Sequence, residues 1–248
     1  VDDEAEKGLT SNQEIRLFEV LTPGSTLNPF DDPGVQFRNY LLVKLLRLLG
    51  TRGGEILNLK IKDIDWTAKQ IKIIRRADTK SDTRTRQPNA KTKQRVLPLA
   101  DSTLAEIREY IVTVRKRIPN SDFCQYLLVA HKSGPTQGNA LSLSSLQEIF
   151  ATIRALYPEL NITPHDLRHY WNWTYSEAMA AQNRIGHLEA EQLRKLLAGW
   201  SINSKMDAHY NAAHIRKQAH EAMLALQRHA EQQARERQAQ MMEQPKNG

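Results

Sequence analysis

Three short stretches of this chain carry the residue types that phosphodiester cleavage without a metal would need. Such a site needs paired guanidiniums on the nonbridging oxygens, because their forked N–H groups hold phosphate bidentately and never lose charge. It also needs a nucleophile, and an acid for the leaving 5′ oxygen. The first stretch is Gly50-Thr51-Arg52-Gly53-Gly54-Glu55. Arg52 follows a glycine at a helix end, and the sharp turn can aim its fork into a cleft. Glu55, three residues on, is a carboxylate that could fix its rotamer. The second stretch is Thr163-Pro164-His165-Asp166-Leu167-Arg168-His169. Thr163 caps and Pro164 starts a helix. His165 and Arg168 then share one face near its N-terminus, where the dipole favours phosphate. The third is Ala198-Gly199-Trp200-Ser201, followed by Met206-Asp207-Ala208-His209-Tyr210. Tyr210 is one of seven tyrosines, so its type alone does not single it out. His165 and His169 are spaced like zinc ligands. A zinc site needs a third ligand, and the usual neighbouring glutamate is Asp166 here, so no metal is expected.

The elements that must position these residues can be read from periodicity. Thr10 or Ser11 caps a first helix with Leu17 and Leu21 on its apolar side. Pro23 to Pro33 reads as a loop. Gln36 to Leu49 forms a helix with Phe37, Tyr40, Leu41, Leu45, Leu48 and Leu49 on one stripe, ended by Gly50. A short helix follows around Glu55–Leu59. Alternation over 61–66 and the run Ile71–Ile74 predict two strands joined at Thr67–Lys69. Arg95–Leu99 is a third, edge strand, because Pro98 cannot donate to a ladder. Segments 102–117, 142–157, 163–181 and 187–199 have helical spacing, as does 206–240. The fold expected is mainly α with a small three-stranded antiparallel sheet (α+β).

Composition narrows the function classes. The 248 residues are 40% hydrophobic, enough for a sizeable core. The single cysteine, Cys124, allows no internal disulfide and favours a reducing compartment. The longest apolar run, Tyr40 to Leu49, is broken by Lys44 and Arg47, so no membrane span is expected. The absence of a secretory signal points to the cytoplasm. Basic residues number 35 against 28 acidic, a surplus of +7. Nearly all of it lies between two strands. Arg75, Arg76, Lys80, Arg84, Arg86, Lys91, Lys93 and Arg95 face only Asp78 and Asp82 there, a local charge of +6. With the rest nearly neutral, this loop reads as a contact for a polyanion such as double-stranded DNA.

Taken together, the three stretches resemble the tyrosine recombinase family, the phage-type integrases. The family's first box is Gly-x-Arg-x-x-Glu-Leu-x-x-Leu followed by an Asp-x-Asp strand. Gly50, Arg52, Glu55, Ile56, Leu59, Asp63 and Asp65 fit it. The second, His-x-x-Arg-His, is matched by His165, Arg168 and His169. The third is Leu-Gly-His/Trp, then nine or ten residues to a tyrosine; Gly199, Trp200 and Tyr210 match with a spacing of ten. Ile185-Gly186-His187 imitates that box but lies 23 residues before Tyr210.

The resemblance implies the catalytic-domain fold and the roles. Arg52 and Arg168 would clamp the scissile phosphate, with His165 on a nonbridging oxygen or assisting proton transfer. Trp200 would donate its indole N–H. Tyr210 would attack phosphorus and form a 3′-phosphotyrosine. Glu55 would support them. The family's lysine, on the hairpin just before the third strand, fits Lys91, with Lys93 as rival; the loop from Ala77 to Ala90 ahead of it is longer than the family's short turn. No cofactor, metal or ATP is implied. The partners implied are DNA and further copies of the chain, in a tetrameric synapse joined through the C-terminal helix. Residues 9–230 would form the catalytic domain, between a loose 1–8 and a polar tail at 231–248. The family's separate DNA-clamping domain has no counterpart here, so the chain reads as a catalytic-domain fragment. A type IB topoisomerase-like enzyme and a non-catalytic DNA-binding relative are the alternatives.

Overall fold

A computed structural model describes residues 9–80, 82–88, 92–182 and 187–201, the side chains at 180–182 and 187 excepted. Lys91, Tyr210 and the expected helix at 206–240 lie outside the described residues. Helix α1, Ser11–Leu21, starts at Thr10, whose hydroxyl accepts from the Gln13 amide while Gln13 reaches back to the Thr10 amide. Asp32 caps α2, Pro33–Leu49. This helix begins three residues earlier than expected, because Pro33 is well placed in a first turn.

Helix α2 is also more deeply set than one stripe allows. Leu41, Leu42, Val43, Leu45, Leu46 and Leu49 are all buried, whereas Leu48 is 45% exposed. It packs against α1, against α3 (Gly53–Leu57) and most extensively against α6 (Pro164–Gln182). A central helix loses its polar side, so a one-stripe pattern understates its burial.

The sheet has the order β1-β2-β3 and is antiparallel throughout. β1 is only Ile64–Asp65, β2 is Gln70–Ile73 and β3 is Arg95–Pro98. The expected first strand is mostly a 3₁₀ turn at Ile61–Asp63, where the Asp63 carboxylate accepts the Lys60 amide at 2.7 Å. Pro98 sits on an edge strand, as its missing donor requires.

The helix expected over 102–117 is α4, Asp101–Glu109, which widens into a π turn at Tyr110–Val114 and closes with a 3₁₀ turn at Arg115–Arg117. Helix α5 is Leu143–Leu156 and α7 is His187–Ala198. Among the described residues no helix is long and apolar enough to cross a membrane.

The π turn carries a buried polar pair. The Tyr110 hydroxyl and His131 Nε2 are 3.2 Å apart. Burial pushes the Tyr110 hydroxyl up to about 12. Burial, with help from Arg38 and against Asp32, pushes His131 down from 6.5 to about 4. His131 is therefore neutral in the fold while the unfolded chain takes up its proton first. Its contribution to stability is full above pH 6.5 and falls as pH drops toward 4. Urea melts between pH 7 and pH 4.5 should show this decline, and His131→Gln should flatten it. An unchanged slope in the variant would assign the decline to other groups.

Candidate active site

Gly50 ends α2 with φ 57°, the left-handed region that favours glycine. A Cβ here would lie 2.3 Å from the Trp171 ring of α6. That close approach lets the Gly50 carbonyl accept Arg168 Nη1 at 2.5 Å. Arg168 Nη2 donates to the Ala198 carbonyl at 3.1 Å, and its guanidinium carbon lies 5.6 Å from the Trp200 ring centre. Arg168 therefore ties the end of α2 to the end of α7. Trp200 is itself buried, and its backbone N–H donates to the Lys195 carbonyl at 2.9 Å.

Arg52, His165 and Arg168 line one cleft of about 750 Å³, shared with the Ser144, Gln147, Ala151 and Arg154 side of α5. Arg52 Nη1 is buried there without a hydrogen-bond partner among the described residues. A buried donor left unpaired costs free energy unless a ligand supplies the acceptor. Thr163 starts α6 by giving both its amide and its hydroxyl to Asp166, at 2.8 and 2.7 Å. This orients the first turn, from which His165 and Arg168 reach the cleft. Burial, then the positive charges of Arg168 and Arg52, lower the His165 pKa, against the pull of Asp166. His165 is thus neutral near pH 7 and can both give and take a hydrogen bond. Its ring meets the His169 ring edge-on, centres 4.2 Å apart. Among the described residues no third metal-ligating side chain joins this pair.

Glu55 lies beneath the cleft. Its carboxylate does not fix the Arg52 side chain, as its sequence position suggested. It accepts the Arg52 backbone amide at 2.9 Å, two bonds from Arg95 at 2.9 and 3.0 Å, and one from the Thr92 hydroxyl. Burial alone would raise its pKa. The hydrogen bonds and charge of Arg95, with those of Thr92 and Arg52, outweigh that and hold it below the usual range.

Three of the basic residues expected to contact DNA are engaged within the protein. Arg95 is buried against Glu55. Arg84 is buried too: it pairs with Asp82, donates Nη1 to the Leu57 and Leu141 carbonyls at 2.8 and 3.1 Å, and stacks 4.3 Å from the Tyr126 ring centre. Arg76 is half-buried, with Nη1 on the Asn58 carbonyl at 3.0 Å and Nη2 on Asp63 at 2.5 Å. These three cations hold the loop to the body. Arg75, Lys80, Arg86 and Lys93 are exposed. Lys93 is joined to the third box through its backbone, whose N–H donates to the Gly199 carbonyl at 2.9 Å. The sequence reading missed Thr92 and Trp171 altogether, since neither partner is near in sequence. It also missed the Asp82–Arg84 pair, for which the i, i+2 spacing was a usable signal.

Comparison with known proteins places the chain by family and fold. The model of the phage integrase family matches residues 25–195, more than half of the chain. The chain belongs to that family. Tyrosine recombinase XerC of Shewanella amazonensis is 26% identical over 177 residues, covering 67% of this chain and 52% of the relative. Tyrosine recombinase XerD of Staphylococcus saprophyticus is 21% identical over 187 residues, covering 72% of this chain and 57% of the relative. The chain thus spans about half the length of these relatives. Among solved structures, XerH recombinase bound to its difH substrate superposes with TM-score 0.56 at 19% identity, over 86% of this chain and 52% of the other. The Tn1549 transposon integrase in complex with circular intermediate DNA gives TM-score 0.56 at 18% identity, over 84% and 62%. At such identities the structures establish the fold, a tyrosine recombinase catalytic-domain fold.

Proposed function

We propose that this chain is the catalytic part of a site-specific DNA recombinase, with the catalytic domain spanning about residues 9–230. The observation that carries this reading is the convergence of Arg52, His165 and Arg168, from two motifs more than a hundred residues apart, on one cleft. Arg52 and Arg168 bind the nonbridging oxygens of the scissile phosphate. Neutral His165 hydrogen-bonds a nonbridging oxygen or passes a proton. Trp200 packs behind Arg168. Tyr210 gives up its phenolic proton to His165 or water as its oxygen bonds to phosphorus, the bond to the 5′ oxygen breaks, and that oxygen leaves with a proton from Lys91, with Lys93 as the rival donor. The 3′-phosphotyrosine stores the phosphodiester energy, so a 5′ hydroxyl from a partner strand can restore the DNA without ATP. Exchange between duplexes needs several copies of the chain, joined through the segment after Tyr210, where Ile215, Ala219, Met223 and Leu226 recur in the sequence at helical spacing. The DNA-bound states named for the XerH and Tn1549 structures support DNA as the partner.

The test uses a DNA duplex nicked beside its cleavage site, so that the short 5′ strand diffuses away and traps the adduct. Because its target sequence is unassigned, a library of such duplexes from the flanks of the source element is used. A covalent protein–DNA species that survives denaturant and is unaffected by EDTA is expected. Its absence across the library would overturn the reading.

The exposed cations give a second expectation. Each phosphate contact contributes about −0.9 to the log–log salt slope of binding. Neutralising Lys80 and Arg86 should flatten the slope by roughly one to two units. Arg84→Met should leave it unchanged and lower the melting temperature instead. Equal flattening by Arg84→Met would show that Arg84 leaves Asp82 to reach DNA.

A further inference from the structure

Glu55 and Arg95 form a charge pair with side chains only 0% and 2% exposed. Taking two charges out of water is expensive, and apolar residues of similar volume are often as stabilising or better. Stability alone is therefore a weak reason for this pair. Its position supplies another. One Glu55 oxygen takes the Arg52 amide, which opens α3 at the phosphate clamp. The other takes the Thr92 hydroxyl, from just before β3, and Nη1 of Arg95, the first residue of β3. The Gly199 turn, immediately before Trp200, closes over them. A Cβ at Gly199 would lie 2.7 Å from Arg95 Nη1 and 3.0 Å from both Thr92 Cβ and the Lys93 carbonyl. The Gly199 carbonyl meanwhile accepts the Lys93 amide. The first box, the Gly199 turn of the third box and the chain from Thr92 to Arg95 thus meet around one carboxylate. Thr92 is turned inward and buried, and the next residue, Lys93, is exposed.

We infer that Arg95 is a positioning residue: with Glu55 and Thr92 it forms a buried clasp that sets where the lysines flanking Thr92 meet the scissile phosphodiester. This rests on the DNA-cleavage reading above. The lysine, whichever of Lys91 and Lys93 it is, must reach the 5′ oxygen within hydrogen-bond distance as that oxygen leaves. A loop held only at its far end would lose that geometry with small shifts. The clasp fixes it one residue away.

The step the clasp serves can be isolated. With oxygen at the bridging 5′ position, the leaving group must take a proton as the bond to phosphorus breaks. With sulfur there, a thiolate leaves unprotonated, and the lysine becomes dispensable. Single-turnover cleavage is measured on both substrates, with thermal melting alongside. The variants are Thr92→Val, which keeps the shape and removes one hydroxyl, and the neutral pair Glu55→Gln/Arg95→Met. Both should cleave the oxygen substrate at least about tenfold more slowly, part of the 10²–10⁴-fold that a general acid contributes. Both should cleave the sulfur substrate within about threefold of the unaltered protein. Arg95→Lys should recover part of the oxygen rate. Equal slowing on both substrates would overturn the clasp, because that is what general loosening does; so would two unchanged rates. If the double variant melts below the assay temperature, Thr92→Val decides alone. Failure of the unaltered protein on both substrates would overturn the cleavage reading, and this inference with it.

Discussion

Tyr210→Phe should bind its DNA with unchanged affinity and yield no covalent adduct on the nicked substrate. The substitution keeps the ring and deletes the one oxygen that could become bonded to phosphorus. A tyrosine hydroxyl has a pKa near 10, so its attack at neutral pH needs cations to stabilise the developing negative charge. Arg52 and Arg168 bring two of them to one cleft. The other tyrosines are engaged elsewhere in the described structure. None of the six described tyrosines is among the residues lining that cleft. Tyr170 is buried, with its hydroxyl 3.2 Å from Ser11 Oγ and the Arg47 guanidinium 4.6 Å from its ring centre. Tyr175 donates to the Ala190 carbonyl at 2.9 Å, Tyr126 to Asp82 at 3.0 Å and Tyr157 to the Leu27 carbonyl at 2.5 Å. Tyr110 faces His131, and Tyr40 lies under the Lys44 ammonium, 5.5 Å from its ring centre. Each of these has a structural task. Tyr170→Phe should accordingly keep the adduct at near full yield. An adduct surviving in Tyr210→Phe would reassign the nucleophile.

What the sequence could disclose depended on how far apart the interacting groups lie. The end of α2 was legible because Gly50 acts locally, through its own φ. The shared face of His165 and Arg168 was legible because three residues make most of a helical turn. The partner of Glu55 was not, since Arg95 comes from a strand 40 residues on. The nearer Arg52 looked like the natural partner. The basic loop failed for a related reason. A count of charges treats every arginine as solvated, whereas burial is decided by whether a carboxylate and carbonyls wait at the place where the chain folds. Arg84 finds Asp82 and two carbonyls, and Arg86, two residues later, is exposed. The first strand was shortened by a side chain as well: Asp63 bonds back to the Lys60 amide, and this favours a turn over an extended ladder.

Arg52→Ala and Arg168→Ala should both cripple cleavage, by about 10²–10³-fold each, the usual cost of losing one preorganised donor to a developing anion. They should differ in stability. Arg168 is 2% exposed and gives its donors to the Gly50 and Ala198 carbonyls. Its removal strands two acceptors, at about 1–3 kcal/mol each, and leaves a cavity between α2, α6 and α7. A loss of about 3 kcal/mol corresponds to a melting temperature lower by roughly 6–12 °C in a chain of this size. Arg52 is in the opposite position. Its Nη1 is buried without an acceptor among the described residues, so the free protein already bears the cost of holding that donor ready. Deleting it relieves that cost, and the melting temperature should stay within about 2 °C of the unaltered value or rise slightly. Arg168→Lys separates the two roles of Arg168, since an ammonium keeps the charge but cannot span both carbonyls and a phosphate with one planar fork. It should restore less than a tenth of the cleavage and little of the stability. A parallel fall in melting temperature for Arg52→Ala and Arg168→Ala would mean that both arginines are structural. Cleavage surviving Arg52→Ala would show that the unpaired donor is not awaiting phosphate.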